Sequence, residues 1–225
     1  MLGIIGGTSL LELSFTDWKS EIIDTPYGSS TLLVGDNVVL LQRHQKRRSP
    51  HRINYRSHIG ALALAGVDRI IAIGSTGSLN SEIAPGNLVI PDDYLTLQAE
   101  STIFNHSVGH VKPEFSRHLR EALIKAIPEA RGSGTYIQTS GPRIETAAEI
   151  RWLRSVGDIV GMTLASEATT AREMNIPFAA ICTVDNFANG IGKEEVTYAH
   201  IVTNARLYSE RTRTMVDRVI QSCTS

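Results

Sequence analysis

The sequence has few of the features that mark secreted or nucleic-acid-binding proteins. Its 225 residues include only two cysteines, Cys182 and Cys223, which are too few for a disulfide framework. Cys182 lies in the apolar run at 178–184, which predicts a small, buried hydrophobic residue. The formal net charge of −1 produces no field that would attract a polyanion. Nucleic acid is therefore not expected as a partner.

Long hydrophobic runs are also missing. No stretch approaches 18 uninterrupted apolar residues, so we expect no membrane span. The first residues lack the basic start and the long apolar stretch of a signal peptide, which indicates a cytoplasmic protein. His106 and His110 are four residues apart, but no acidic or cysteine partner accompanies them at metal-ligand spacing. We expect no metal site, and segment 98–113 is predicted to be a surface loop or a subunit contact.

Short apolar runs alternate along the chain with segments of helical periodicity. The predicted strands are 2–5, 30–34, 38–42, 69–73, 87–91, 135–139, 158–161 and 178–184. The predicted helices are 53–66, 114–127, 146–156, 167–174 and about 194–222. This alternation predicts an α/β fold with a central mixed β-sheet flanked by helices. No repeat or linker interrupts it, so residues 1–225 are predicted to form a single domain.

The segment GIIGGTSL, residues 3–10, runs from a predicted strand directly into two glycines. Gly6 and Gly7 let the backbone approach a ligand closely, and Thr8 adds a hydroxyl group, a combination that suits an anion. A tight structural turn explains these residues equally well. The segment has neither the Gly-Lys-Ser/Thr of a Walker loop nor a complete G-x-G-x-x-G.

Two further strand ends favour an anion site. Arg43 and His44 directly follow the strand at 38–42, and both side chains suit phosphate oxygens. The basic residues at 45–48 are predicted to be a solvated loop rather than specific ligands. The apolar strand at 70–73 is predicted to break into a small-residue loop at 74–77, which again presents backbone donors. Three such strand ends in one chain indicate a shared, phosphate-sized site.

Together with several later segments, these residues resemble the trimeric purine nucleoside phosphorylase and methylthioadenosine phosphorylase family. The matching segments, in the family's order, are 3–10, 43–44, 51–55, 74–86, 141–149, 160–167 and 178–189. The resemblance implies a phosphorylase-type fold and a pentosyltransferase of purine salvage. It implies phosphate as a co-substrate, no cofactor, and a homotrimer or hexamer in which a neighbouring subunit completes the sugar pocket. His106 and His110 are candidates for that subunit contact.

The resemblance also assigns individual residues to the two substrates. The residues that it places on phosphate are Thr8, Arg43, His44, Ser75 and Thr163. Met162 is expected to pack on the ribose, although a methionine in this pattern is also typical of a protein core. Asn186 and His44 are the expected catalytic residues, because Asn186 donates to the purine as N7 gains electron density.

Glu145, Asn186 and Ala188 indicate which purine is bound. A Glu accepts from the N1–H of a 6-oxopurine, and an Asn donates to O6 or N7, whereas a 6-aminopurine suits an Asp. Adenine-type relatives have Ser, Asp and Asp at these three positions, so the resemblance implies a 6-oxopurine enzyme. Two alternatives stay open. Asp185 takes the place of Asn186 if the alignment slips by one residue, and Glu145 is also a residue type that favours a helix start.

The family's 5′-contact region corresponds here to Val196 and Tyr198. A histidine aligns there only with a two-residue shift that brings in His200. Apolar or aromatic contacts suit a methylthio group better than a hydroxyl. The expected reaction is therefore phosphorolysis of S-methyl-5′-thioinosine to hypoxanthine and 5-methylthioribose 1-phosphate, with inosine or guanosine as the alternative substrate.

Other classes fit the residues less well. A dinucleotide-binding oxidoreductase requires a third glycine and a ribose-binding acid that are missing from their usual places. A non-catalytic nucleoside-binding protein would keep Glu145 and Asn186 without needing Arg43 and His44. A nucleoside hydrolase would need an acidic cluster that holds a metal.

Overall fold

The structure, a computed structural model, describes residues 1–10, 17–96, 101–192 and 196–223. In these ranges the strands are β1 (Leu2–Gly6), β2 (Lys19–Thr25), β3 (Gly28–Val34), β4 (Val38–Gln42), β5 (Arg69–Ser78), β6 (Leu88–Val89), β7 (Asp93–Thr96), β8 (Thr135–Gln138), β9 (Ile159–Gly161) and β10 (Phe178–Phe187). The α-helices are α1 (Tyr55–Leu64), α2 (Arg117–Ala126), α3 (Ala147–Leu153), α4 (Leu164–Glu173), α5 (Tyr198–Leu207) and α6 (Ser209–Cys223). None of these helices is long and apolar enough to cross a bilayer.

The strands form one mixed sheet. Its order is β2-β3-β4-β1-β5-β9-β8-β7, and β10 pairs with β5 and with the short β6. Strands β4, β1, β5 and β10 run parallel to one another, whereas β2, β3 and β9 join as antiparallel neighbours. The predicted α/β fold with a central mixed sheet and flanking helices is therefore confirmed. Because the four parallel strands end at the same edge, the residues that follow them lie close together.

The core lies on both faces of the sheet, since successive side chains of a strand point to opposite sides. Ile5 packs on the face covered by α1 and α4, and its neighbour Ile4 packs on the opposite face, beside residues of α2 and α6. Cys182 is fully buried among the residues on the first face, as predicted. A smaller cluster beneath α3 contains Ile150 and Ala188.

Helix α2 illustrates how local sequence sets the boundaries of these elements. The Ser116 side chain accepts a hydrogen bond from the Leu119 amide at the N-terminus. Leu119 and Leu123, one turn apart, are buried on the side that faces the sheet. The helix ends at Ala126, two residues before Pro128, because a residue that precedes proline is disfavoured in helical geometry.

The structure corrects several predicted elements. The single helix expected at 194–222 is two helices, of which α5 contacts β10 while α6 packs on α2. They separate at Tyr208, whose ring lies beside Gly86. Strands β2 and β7 were not predicted. In β2 most side chains are partly or fully exposed, and Ile22 is 71% exposed, so an edge strand lacks the apolar pattern that prediction uses.

The predicted loop at 74–77 is wrong as well. These residues continue β5 and pair with β10, so much of their backbone is already hydrogen-bonded. The strand continues because Gly74 fits beneath α4: a Cβ atom there would lie 2.8 Å from Leu164 Cδ1. Ser75 is therefore a strand residue whose side chain, rather than a flexible loop, faces the site.

Candidate active site

A cleft of about 660 Å³ lies at the carboxyl edge of the parallel strands. Its volume is within the range of roughly 300–1,000 Å³ that is usual for small-molecule sites. The predicted site residues that line it are Thr8, Arg43, His44, Ser75, Glu145, Met162, Thr163, Asn186, Ala188 and Val196. They come from eight separate places in the chain, and the fold brings them to one cavity.

Arg43, which follows β4, is held by a buried acid. Its Nε donates to Glu167 Oε1 at 2.5 Å and its Nη2 donates to Oε2 at 2.9 Å, while Nη1 donates to the Ile73 carbonyl at 3.1 Å. Burial lowers the pKa of Arg43, but the charge of Glu167 and its hydrogen bonds outweigh burial and leave that pKa raised. Three of the five guanidinium N–H groups are thus used internally, which leaves two for a ligand.

Glycine is required where β1 meets this arginine. A Cβ atom on Gly7 would lie 2.7 Å from Arg43 Nη1 and 3.4 Å from His44 Nε2. The backbone of Gly7 therefore lies directly against both side chains, and Thr8 begins a short 3-10 turn immediately after it. The glycine pair does more than make a turn, because it places Thr8 beside Arg43 and His44.

His44 is oriented by its own loop. Its Nδ1 lies 2.9 Å from the Arg48 carbonyl, and since a carbonyl only accepts, Nδ1 carries the proton. Burial lowers the pKa of His44, and the charge of Arg43 lowers it further, while the bond to Arg48 opposes them. In the neutral form that results at pH 7, Nε2 accepts a hydrogen bond. This role matches the single O–H of hydrogen phosphate.

Ser75 connects the cleft to a buried carboxylate. Its hydroxyl donates to Asp185 Oδ2 on the neighbouring strand β10, and Asp185 is only 1% exposed. Burial raises the pKa of Asp185 to about 6, although hydrogen bonds from Ser75 and Thr183 lower it. Asp185, which the sequence offered only as an alternative to Asn186, is thus the buried hydrogen-bond partner of Ser75.

The N-terminus of α4 forms another wall of the cleft. Thr163 directly precedes the helix, and the Thr163 and Leu164 amides donate to Tyr136 Oη at 3.1 and 3.3 Å. The Thr163 hydroxyl does not cap the helix. Gln138 and Ser166 exchange two hydrogen bonds, which fix the helix against β8. The positive end of the helix dipole therefore begins at the cleft, where an anion is stabilised.

Glu145 also lines the cleft and is 7% exposed. Its Oε1 accepts from the Thr139 hydroxyl at 2.5 Å. Helix α3 does not need Glu145 as a cap, because Thr146 and Glu149 form a complete capping box. Glu145 is therefore not needed to cap the helix, and its carboxylate lies at the cleft wall.

A β-bulge decides which residue of β10 faces the cleft. Val184 pairs with Thr76 and Asn186 pairs with Gly77, so Asp185 is the extra residue. The bulge turns Asp185 into the interior and puts Asn186 on the cleft wall. Asn186 Nδ2 donates to the Phe187 carbonyl at 2.7 Å. Of the two alignments that the sequence left open, this geometry puts Asn186 at the cleft.

Met162 and Ala188 complete the apolar part of the cleft. Gly141 has a φ of 59°, and a Cβ atom there would lie 2.5 Å from Met162 Sδ. Glycine therefore allows both the left-handed backbone and the close approach of the sulfur. Met162 lines the cleft and is partly exposed, unlike a core methionine. Ala188 is 3% exposed and donates its amide to the Ser78 carbonyl.

Among the described residues, apolar side chains line the cleft towards α5. Val196 and Ile201 line it, and Ile201 was not predicted. His200 is exposed on α5 and is not among the lining residues. The side chain of Tyr198 lies outside the described part of the chain. His106 and His110 are exposed in a segment that Glu173 anchors through Thr102 and Ile103.

Sequence reasoning missed three charged residues of the site. Glu167 belongs to the segment that resembles the family, but its contact with Arg43 spans 124 positions and no local pattern signals it. Arg47 and Arg48 line the cleft, although their segment was predicted to be a solvated loop. Both are exposed, so they are at once solvated and within the site. Within the described ranges, no group of three possible metal ligands occurs.

These features define a class of α/β protein with an anion site and a hydrogen-bonding wall at the carboxyl ends of its parallel strands. Residues 2–221 match the model of the Phosphorylase superfamily, and the chain belongs to that family. A probable 6-oxopurine nucleoside phosphorylase of Archaeoglobus fulgidus is 40% identical, with 98% of this chain and 96% of the relative covered. A probable S-methyl-5′-thioinosine phosphorylase of Methanocaldococcus jannaschii is 38% identical, with 90% and 84% covered. The family resemblance drawn from the motifs is confirmed.

Solved structures agree on the fold. A methylthioadenosine phosphorylase from an antarctic soil metagenomic library superposes with a TM-score of 0.84 at 30% identity, covering 98% of this chain and 85% of that one. A methylthioadenosine phosphorylase from Schistosoma mansoni has a TM-score of 0.90 at 24% identity, covering 98% and 90%. At 24% identity, the similarity to the Schistosoma mansoni structure shows only that the two proteins share a fold.

Proposed function

We propose that this protein is a purine nucleoside phosphorylase that cleaves the N-glycosidic bond of a 6-oxopurine ribonucleoside with inorganic phosphate. The observation that carries the proposal is the content of one cleft: an anion site around Arg43 and Thr163 lies in the same cavity as Glu145 and Asn186. Relatives named 6-oxopurine nucleoside phosphorylase and S-methyl-5′-thioinosine phosphorylase, at 36–40% identity, support it.

Phosphate binds on the wall formed by the ends of β1, β4 and β5 and by the start of α4. Arg43 donates through its two remaining N–H groups, and the hydroxyl groups of Thr8 and Thr163 add neutral hydrogen bonds. Ser75 joins them when its O–H turns from Asp185 to the phosphate. The neutral His44 accepts the phosphate O–H at Nε2. A phosphate oxygen is thereby left free to attack C1′ of the sugar.

The purine binds between Glu145 and Asn186. The Glu145 carboxylate accepts N1–H, and the Asn186 amide donates to O6 or N7. An adenine ring would present N1 as an acceptor to Glu145, so the carboxylate oxygen that faces the base would lose its donor, which costs about 1–3 kcal/mol. This arrangement selects a 6-oxopurine.

Bond cleavage builds positive charge on the ribose ring and negative charge on the departing purine. A phosphate oxygen forms the new bond to C1′ as the bond to N9 breaks. The purine keeps the electron pair of that bond and takes up the proton that the phosphate O–H gives up. Asn186 stabilises the purine because its amide donates where N7 gains electron density. Met162 packs against the sugar and, held by Gly141, keeps water from the reacting carbon. No cofactor other than phosphate takes part.

The 5′ substituent of the substrate is a methylthio group in our proposal. Val196 and Ile201 line the end of the cleft next to α5, and apolar side chains favour a thioether over a hydroxyl. The substrate is then S-methyl-5′-thioinosine, and the products are hypoxanthine and 5-methylthioribose 1-phosphate. Inosine or guanosine is the second candidate, because the relative at 40% identity is named a probable 6-oxopurine nucleoside phosphorylase without a 5′ specification.

The assembly and location follow from the same family. We propose a homotrimer or hexamer in which the segment around His106 and His110 reaches a neighbouring sugar pocket, since these residues are exposed outside the cleft of their own chain. We place the enzyme in the cytoplasm, where its purine substrates are salvaged. Size-exclusion chromatography with light scattering tests the assembly, and a monomer at micromolar concentration would refute it.

The test of the activity uses four nucleosides, each with and without phosphate. The purified protein is incubated with S-methyl-5′-thioinosine, inosine, guanosine and methylthioadenosine, and the released base is measured by chromatography. We expect phosphate-dependent release of hypoxanthine, fastest from the methylthio substrate, and little release of adenine. Base release that is independent of phosphate would indicate a hydrolase, and binding without release would indicate a non-catalytic nucleoside-binding protein.

A further inference from the structure

The cleft lacks net positive charge at the groups that contact phosphate. The charge of Arg43 is offset by the bidentate contact with Glu167, and burial together with the charge of Arg43 lowers the pKa of His44 from its ordinary value, which favours the neutral ring. Asp185, which bonds to Ser75, adds an acid rather than a base. Hydrogen phosphate brings a charge of about −2 at neutral pH. These groups alone therefore leave most of the anion's charge without a fixed counter-charge.

The loop that follows Arg43 carries the missing charge. Arg47 and Arg48 both line the cleft and are exposed at its mouth. Within the part of the chain that the structure describes, neither forms an ion pair with an acidic side chain, whereas Arg43, Arg143, Arg172 and Arg218 all do. Two unpaired guanidinium groups thus lie at the rim of an anion site.

The loop at 45–48 is held in place by hydrogen bonds to the rest of the protein. Gln45 exchanges two hydrogen bonds with the backbone of Thr31, at 2.8 and 2.9 Å, which ties the loop to β3. The Arg47 amide donates to the His44 carbonyl, and His44 Nδ1 donates to the Arg48 carbonyl. Lys46 and Arg47 have φ values of 54° and 56°, a left-handed geometry that non-glycine residues rarely adopt. Strain of this kind is held by surrounding structure and is concentrated at functional sites.

We propose that Arg47 and Arg48 form a cationic arm of the phosphate site and supply the counter-charge that the Arg43–Glu167 pair withholds. The arm acts on the phosphate nucleophile and on the sugar 1-phosphate product, which carry the same dianionic group. The inference deepens the proposed function and rests on it. It also changes the role of segment 45–48 from a solvated surface to part of the site.

The experiment compares R47A, R48A and the double variant with R52A in the intact protein. Arg52 is an exposed arginine nearby in the chain that does not line the cleft, so its removal changes the net charge equally. The readouts are KM for phosphate, KM for the nucleoside and kcat, each at low and high ionic strength. Thermal melts confirm that every variant is folded.

We expect each single variant to raise the phosphate KM by roughly tenfold, and the double variant more, because charge-assisted contacts of this kind are worth about that factor. The nucleoside KM should change by less than about twofold, and R48K should recover part of the phosphate affinity because it restores a charge. Added salt should reduce the difference from the wild type. A shift in phosphate KM no larger than that of R52A would overturn the proposal.

Two further measurements distinguish phosphate binding by Arg47 and Arg48 from other roles of these residues. Calorimetric titration of each variant with inorganic phosphate alone, without nucleoside, tests the arm even if the protein proves not to be a phosphorylase. Competition by inosine 5′-monophosphate tests whether the arm instead recognises a phosphate at the 5′ end. Weaker inhibition by this nucleotide in the double variant, with an unchanged phosphate KM, would refute the arm as a phosphate-site element.

Discussion

The buried carboxyl of Asp185 makes the stability of this protein depend on pH in a predictable way. The group is 1% exposed, and burial raises its pKa from the ordinary value of 3.8 to about 6. A shift of one unit in pKa corresponds to about 1.4 kcal/mol, so ionised Asp185 destabilises the fold by about 3 kcal/mol. Because the pKa of Asp185 is raised on folding, its protonated form contributes to the stability of the fold. That contribution is fully present below about pH 4 and is lost as the pH rises through about 6.

The substitution Asp185→Asn tests that reasoning. Asparagine keeps an oxygen that accepts from Ser75 but never ionises, so the variant should lose the pH dependence of this group. The assay is urea unfolding at fixed protein concentration from pH 4 to pH 8, followed by tryptophan fluorescence. Relative to the wild type, the unfolding free energy of the variant should increase by about 2–3 kcal/mol across this range.

A constant offset between the two proteins is irrelevant to this test, because only the pH-dependent part reports ionisation. Asp36→Asn is the matched control, since Asp36 is exposed and the substitution removes the same formal charge. The reasoning is refuted if the difference between Asp185→Asn and the wild type is as independent of pH as the difference for Asp36→Asn.

Three further predictions concern the site itself. Asn186→Asp should lower turnover of 6-oxopurine nucleosides by about 10²–10³-fold and raise activity on methylthioadenosine, because an aspartate accepts from a 6-amino group. Unchanged substrate preference in steady-state assays would contradict the role of Asn186. Glu167→Gln should cost about 3–5 kcal/mol in urea unfolding, since it leaves the charge of Arg43 buried and unpaired, and a loss below about 1 kcal/mol would contradict the importance of that pair. Gly141→Ala should destabilise the fold by about 1–3 kcal/mol and raise the nucleoside KM more than the phosphate KM. The reason is that the left-handed φ of 59° and the contact with Met162 both exclude a Cβ atom. An equal change in both KM values would show that the contact does not position the sugar.

Local sequence was sufficient for most of the fold. Helices α1 to α4 and the strands at the sheet centre were predicted because their segments contain apolar residues and have clear ends, such as Pro128 after α2. The edge strand β2 was missed because half of it faces water, and the predicted helix at 194–222 was not divided because its sequence is helical on both sides of Tyr208.

The candidate site was predictable where the chemistry lies in short motifs. Residues 3–10 and 43–44 indicated an anion site, and Glu145 with Asn186 indicated a 6-oxopurine, because each motif combines suitable donors and acceptors within a few residues. The structure brings these segments to one cleft. It also places Asn186 rather than Asp185 on the cleft wall, through a bulge that depends on how β10 pairs with β5.

By itself, the sequence determined the family, the type of sheet and most of the polar groups that line the cleft. Only the tertiary structure decided how much charge those groups present. Arg43 and Glu167 are 124 positions apart, and their contact offsets the charge of the arginine while leaving two of its N–H groups for phosphate. Burial, likewise, sets the protonation of His44 and Asp185, and the loop geometry brings Arg47 and Arg48 to the rim. The physical reason is that residue types define which hydrogen bonds are possible, whereas electrostatic energy depends on distances and solvent exposure that exist only in the folded chain.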